Sequence, residues 1–73
     1  MLLKSTGLLK GFGQKVRQER MKVGISQEEL GFRTGLDRTY ISGIERGARN
    51  PSLKNIGKIA KALKIPLSDL FKS

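Results

Sequence analysis

The residues of this chain that are equipped for chemistry are cationic or small. Positions 38–46 read RTYISGIER. Turned at about 100° per residue, Arg38, Thr39, Ser42, Gly43 and Arg46 share one helix face. Ile41 and Ile44 share the other, with Tyr40 at the margin. The first face carries guanidinium and hydroxyl donors around a small centre, Ser42 and Gly43, which lets the helix approach a surface closely. Arginine can make two parallel bonds to guanine, and Arg38, near the helix N-terminus, is placed for this contact. Nine helical residues span about 13 Å, enough to lie in a major groove about 12 Å wide.

Most other chemistry is excluded by composition. The chain has 73 residues, no His, no Cys and only six Asp and Glu. Thiolate metal sites, disulfides and nucleophile–base pairs therefore lack their parts, and no cofactor, metal or small-molecule substrate is expected. Fifteen Lys and Arg give a net charge of +9. They interleave with apolar residues along the whole chain, as in a folded basic domain that attracts a polyanion. RNA would call for more stacking aromatics than Tyr40 and three Phe. A membrane surface would call for an apolar face that the 38–46 helix lacks. No run approaches the roughly 18 apolar residues of a membrane span. MLLKSTGLLK, broken by Lys and Gly, does not read as a signal peptide. The expectation is a cytoplasmic binding protein of one domain.

The elements that must position the reading face follow from punctuation. Residues 1–10 read as a mobile or partly helical arm, and 11–73 as the domain. A first helix is expected from about Phe12 to Val23, with Phe12, Val16 and Val23 at helical spacing and Gly24 as its stop. Ser26-Gln27-Glu28-Glu29 is a capping box, and Ile25 with Leu30 forms a hydrophobic staple. This second helix ends near Thr34 and Gly35. Asp37 caps the third, Arg38 to Arg46, which Gly47 closes. Ser52 caps a fourth, running to Leu63, with Ile56, Ile59, Ala60 and Leu63 on one side and Lys54, Lys58 and Lys61 on the other. A short fifth begins near Pro66 or Ser68. No stretch alternates with period two, so the chain is all-α with five short helices. Gln27–Arg46 then has the layout of a helix-turn-helix: Gly31 where the second helix passes close, Gly35 at the turn, Leu36 plugging the core.

Three stretches, GISQEELG, LDRTYISGIERGARNPSL and IAKALKIPLSDLF, make residues 12–71 resemble the Cro/repressor-type (Xre-type) helix-turn-helix domain. LDRTYISGIERGARN also resembles controller proteins of restriction–modification systems. The resemblance implies a compact, lambda-repressor-like DNA-binding fold. It implies that Gln27 bonds a phosphate or braces the recognition helix, and that Arg38, Thr39, Ser42 and Gly43 fall at base-reading positions. Thr39 would touch a thymine methyl, Tyr40 would reach a phosphate or a base or else flank the core as its wheel position allows, and Arg46, Arg49 and Asn50 would hold the DNA backbone beyond the helix. It also implies a structural salt bridge between Arg20 and Glu45. Glu19, where the family commonly has an apolar residue, and Gly31, where it commonly has alanine, suggest slightly lower stability. Ile65, Leu67, Leu70 and Phe71 exceed what so small a core needs, so a homodimer on a palindromic operator in double-stranded DNA is expected. The other reading is an antitoxin-like module that uses the same fold to bind a partner protein.

Overall fold

The computed structural model describes residues 5–72, and of Ser5 and Thr6 the backbone alone. It contains α1 (Ser5–Val23), α2 (Gln27–Thr34), α3 (Arg38–Glu45), α4 (Leu53–Leu63) and a 3-10 turn (Leu67–Phe71). The expected arm lies outside the described residues at 1–4, and from Ser5 onward it is the start of α1. No proline interrupts this stretch, Leu9 is half-buried, and Lys10 packs against Gly47. The fifth helix is one 3-10 turn, closed by Asp69 N–H donating to Pro66 O at 2.9 Å. Five residues after a proline are too few for an α ladder, and the tighter turn suffices to seat Leu70.

The core is the overlap of the four apolar faces. Phe12 and Val16 come from α1, Leu30 from α2, Ile41 and Ile44 from α3, and Ile56, Ile59, Ala60 and Leu63 from α4; Leu70 closes it. Val23, expected on the inner face of α1, is 44% exposed. The inward position one turn earlier belongs to Glu19, which is buried and bonded by Lys15 and Lys22, each at 3.2 Å. Lys22, then Lys15, holds this carboxyl below its ordinary value, against the opposite push of burial. The two cations thus accompany the acid at the position where the family has an apolar side chain.

Two close approaches set the layout. Gly13 of α1 lies against the carbonyls of Ile44 and Glu45, so a β-carbon there would collide with the end of α3. At Gly31 an added β-carbon would stand 2.7 Å from Leu36 O, in the turn between α2 and α3. Here packing outweighs the roughly 1 kcal/mol that glycine forfeits in a helix.

The four helices end alike. Each is followed by a left-handed residue, Gly24, Gly35, Gly47 or Lys64. The amide after the turn reaches back in each, as in Ala48 N–H to Gly43 O (2.8 Å) and Ile65 N–H to Ala60 O (3.1 Å). Lys64 alone carries a β-carbon in that conformation, at φ 59°. Replacing it with glycine removes the strain. Lys64→Gly is expected to raise stability by about 1 kcal/mol in urea denaturation, and a loss of stability would refute strain at this turn.

Candidate nucleic-acid interface

α3 is short, and three devices hold it. Asp37 caps its start, accepting from Thr39 N–H at 2.9 Å and from the Thr39 hydroxyl. The hydroxyl first, and then the amide, hold the Asp37 carboxyl below its ordinary value. Ile41 and Ile44 are fully buried beneath it. At its end, Glu45 is tied to both preceding helices. Arg20 donates two bonds to Glu45, Nε to Oε2 at 2.7 Å and Nη2 to Oε1 at 3.0 Å. Gln27 Nε2 donates to Oε1 at 3.1 Å, and Arg20 Nη1 donates to Ile25 O at 2.8 Å. This is the salt bridge implied by the resemblance, and it is bidentate and largely dry, with Glu45 only 7% exposed. Glu45 raises the Arg20 pKa, burial pulling the other way.

The Ser26 box at the start of α2 forms by half. Ser26 Oγ accepts from Glu29 N–H at 2.9 Å, while the Glu29 carboxylate takes a bond from Arg33 at the same distance.

The structure brings most of the expected site residues to one surface. Arg38, Thr39 and Arg46 are exposed, and Ser42 is half-buried among them. Arg46 stands just past the last turn of α3. Among the described residues no carboxylate lies within ion-pair distance of Arg38, Arg46 or Arg49, because Glu19, Glu29, Glu45 and Asp69 are paired elsewhere. The face therefore keeps its positive potential. Gln27 is turned toward Glu45, in the bracing geometry. Asn50 is exposed in the loop.

Two site residues stand differently from a simple helical wheel. Gly43 is buried, because the stem of Arg49 lies over it where a β-carbon would be. Its smallness therefore serves an approach within the chain. Tyr40 is half-buried and packs against the core, with the Arg49 guanidinium 5.0 Å from its ring centre. Its hydroxyl accepts from Asn55 Nδ2 of α4 at 3.0 Å. Asn55 was not found by sequence reasoning. A weak signal existed: it holds the third place after the Ser52 cap, where a capping box has Glu or Gln.

The comparisons agree with this geometry. Residues 16–70 match the helix-turn-helix family model. The control protein C.BamHI of Bacillus amyloliquefaciens is 62% identical over 61 residues, covering 82% of this chain and 75% of its own. The crystal structure of the restriction-modification controller protein C.AhdI from Aeromonas hydrophila superposes with a TM-score of 0.85 at 54% identity, covering 86% of this chain and 96% of that one. C.Esp1396I, bound to a 19 base pair DNA duplex, gives a TM-score of 0.81 at 39% identity, covering 88% and 85%. The chain belongs to the Xre-type helix-turn-helix family. Among that family's members it is similar to the restriction–modification controller proteins just described.

Removing Glu45 would leave Arg20 and Gln27 without their buried acceptor. Glu45→Ala is expected to destabilise the fold by about 3 kcal/mol in denaturant unfolding, and a change below about 1 kcal/mol would show that the bridge does not hold α3. Acid acts through Glu19 and Asp37. Both have a lower pKa folded than unfolded, so their contribution is complete above the ordinary carboxylate range and disappears as pH falls through the folded values. Thermal stability should therefore decline below about pH 4, and less steeply in Glu19→Gln. Equal slopes for the variant and the parent would contradict the assignment.

Proposed function

We propose that α3 reads bases in the major groove of double-stranded DNA, and that the chain regulates transcription as a controller-type dimer on a palindromic operator. It is a helix-turn-helix transcriptional regulator, and as a member of a family of regulators it is not an enzyme. One observation carries the reading: Arg38 and Arg46 stand exposed with no ion-pair partner among the described residues, while the other side of α3 is pinned by two isoleucines and the Arg20–Glu45 bridge. The DNA-bound relative supports the same partner for this chain. No helix among the described residues is long and apolar enough to cross a membrane. A cytoplasmic place is part of the proposal.

In this reading Arg38 takes a guanine by two bonds. The hydroxyl of Thr39 is engaged with Asp37, which leaves its methyl as the group for a thymine. Ser42 lies low enough on the face to permit close approach. Arg46, Arg49 and Asn50 hold phosphates, while Gln27 braces α3 through Glu45. Residues 11–73 are proposed as the DNA-binding unit, which α1 enters from Ser5. Each phosphate neutralised steepens the salt dependence, by about 0.9 in log K per log salt.

Part of the apolar surplus at the C-terminal end is proposed for the dimer contact. Leu70 is closed in the core, whereas Leu67 and Phe71 are 39% and 56% exposed. Ile65 is half-buried and Leu53, at the start of α4, is exposed. The exposed Leu67 and Phe71 of the 3-10 turn are the apolar side chains proposed to meet a second copy.

Selection of bound fragments from random duplex DNA tests the reading. A palindromic consensus is expected, and Arg38→Ala should lose its preferred guanine at about 1–3 kcal/mol. Equal recovery of all sequences would reject specific readout. In sedimentation the chain should run at twice its 8.1 kDa mass, and Leu67→Lys should shift it to the monomer. A wild-type monomer at high micromolar concentration, with and without operator, would reject the dimer.

A further inference from the structure

The cap of α4 fixes where Asn55 stands. Ser52 Oγ accepts the Asn55 backbone N–H at 3.1 Å, which sets this residue in the first turn of the helix. A Glu or Gln there would fold its side chain back onto the cap. The Asn55 side chain instead leaves the helix and donates to the Tyr40 hydroxyl oxygen at 3.0 Å. Tyr40 then offers its ring to the Arg49 guanidinium at 5.0 Å, and the Arg49 stem lies in the space left by Gly43. The contacts run in series, from α4 to Tyr40, from Tyr40 to Arg49, and from Arg49 back onto α3.

We infer that Asn55 is a positioning residue of the DNA interface, which fixes the Tyr40 ring and through it presents Arg49 already ordered beside the reading helix. The inference rests on the DNA-binding reading above. An unanchored arginine on a loop samples many rotamers, and freezing them on contact with DNA weakens binding. A ring held at its hydroxyl end by another helix gives the guanidinium a fixed platform. The arrangement also accounts for glycine at position 43, since a β-carbon would lift the Arg49 stem away. Asn55 acts through its neighbours and needs no contact with DNA itself.

The experiment uses the full chain and the duplex that the wild type selects from a random pool. Asn55→Ala is expected to weaken binding about three- to tenfold, the range for one lost hydrogen bond. Tyr40→Phe keeps the ring and removes the bonded oxygen, so it should weaken binding equally, and the double variant should be no weaker than either. In an Arg49→Ala background, Asn55→Ala should have no further effect on affinity. Thermal unfolding in parallel gives the structural part, which should be the same in both backgrounds. Unchanged affinity in Asn55→Ala, or an equal loss with and without Arg49, would overturn the inference while the DNA reading stands. Failure of the wild type to enrich any sequence would overturn that reading, and this inference with it, before any variant is made.

Discussion

The structure depends on one buried ion pair. Glu45 is nearly inaccessible, and a carboxylate taken out of water needs all its lone pairs answered. Arg20 supplies two bonds from α1 and Gln27 one from α2. Arg20 also caps the Ile25 carbonyl between those helices. A single acid at the end of α3 therefore fixes α3 against both helices before it. Burial of Ile41 and Ile44 settles which face of α3 points inward, and the directional bonds fix where the end of α3 sits against α1 and α2.

Charge is distributed with the same consequence. The chain has six acidic residues against fifteen basic ones. Among the described residues, four of those acids, Glu19, Glu29, Glu45 and Asp69, are occupied in ion pairs away from the exposed side of α3. Asp37 is engaged as a helix cap beneath Thr39. Five of the six acids thus stabilise elements, and among the described residues none of them forms an ion pair with Arg38, Arg46 or Arg49. No buried side-chain nitrogen or oxygen among the described residues lacks a partner, so the polar interior is closed and the open donors lie outside.

The exposed cationic face around α3 is composite. Arg38, Thr39 and Ser42 come from the helix, and Arg46 from its end. Arg49 is folded back over Gly43 from the loop and rests on Tyr40. Tyr40 joins the core on one side and the surface on the other, which is why its position at the margin of the helical wheel admitted both roles. The loop after α3 therefore joins this face, held there by the Tyr40 ring, which α4 anchors through Asn55.

By itself, the sequence determined the local elements and the side of α3 that is buried. Caps at Ser26, Asp37 and Ser52 and stops at Gly24, Gly35 and Gly47 are short-range events, fixed by hydrogen bonds and backbone angles within a few residues. The isoleucine spacing likewise settles which face of α3 points inward. Only the tertiary structure decided what lies across elements distant in the chain. It gave α1 its early start, because Lys10 and Phe12 find partners at Gly47 and Phe71. It put Gly43 under Arg49 and joined Asn55 to Tyr40. The physical reason is that periodicity encodes the direction of a side chain relative to its own axis. Which atom it meets depends on where a second axis passes, and that is set only when the whole core closes.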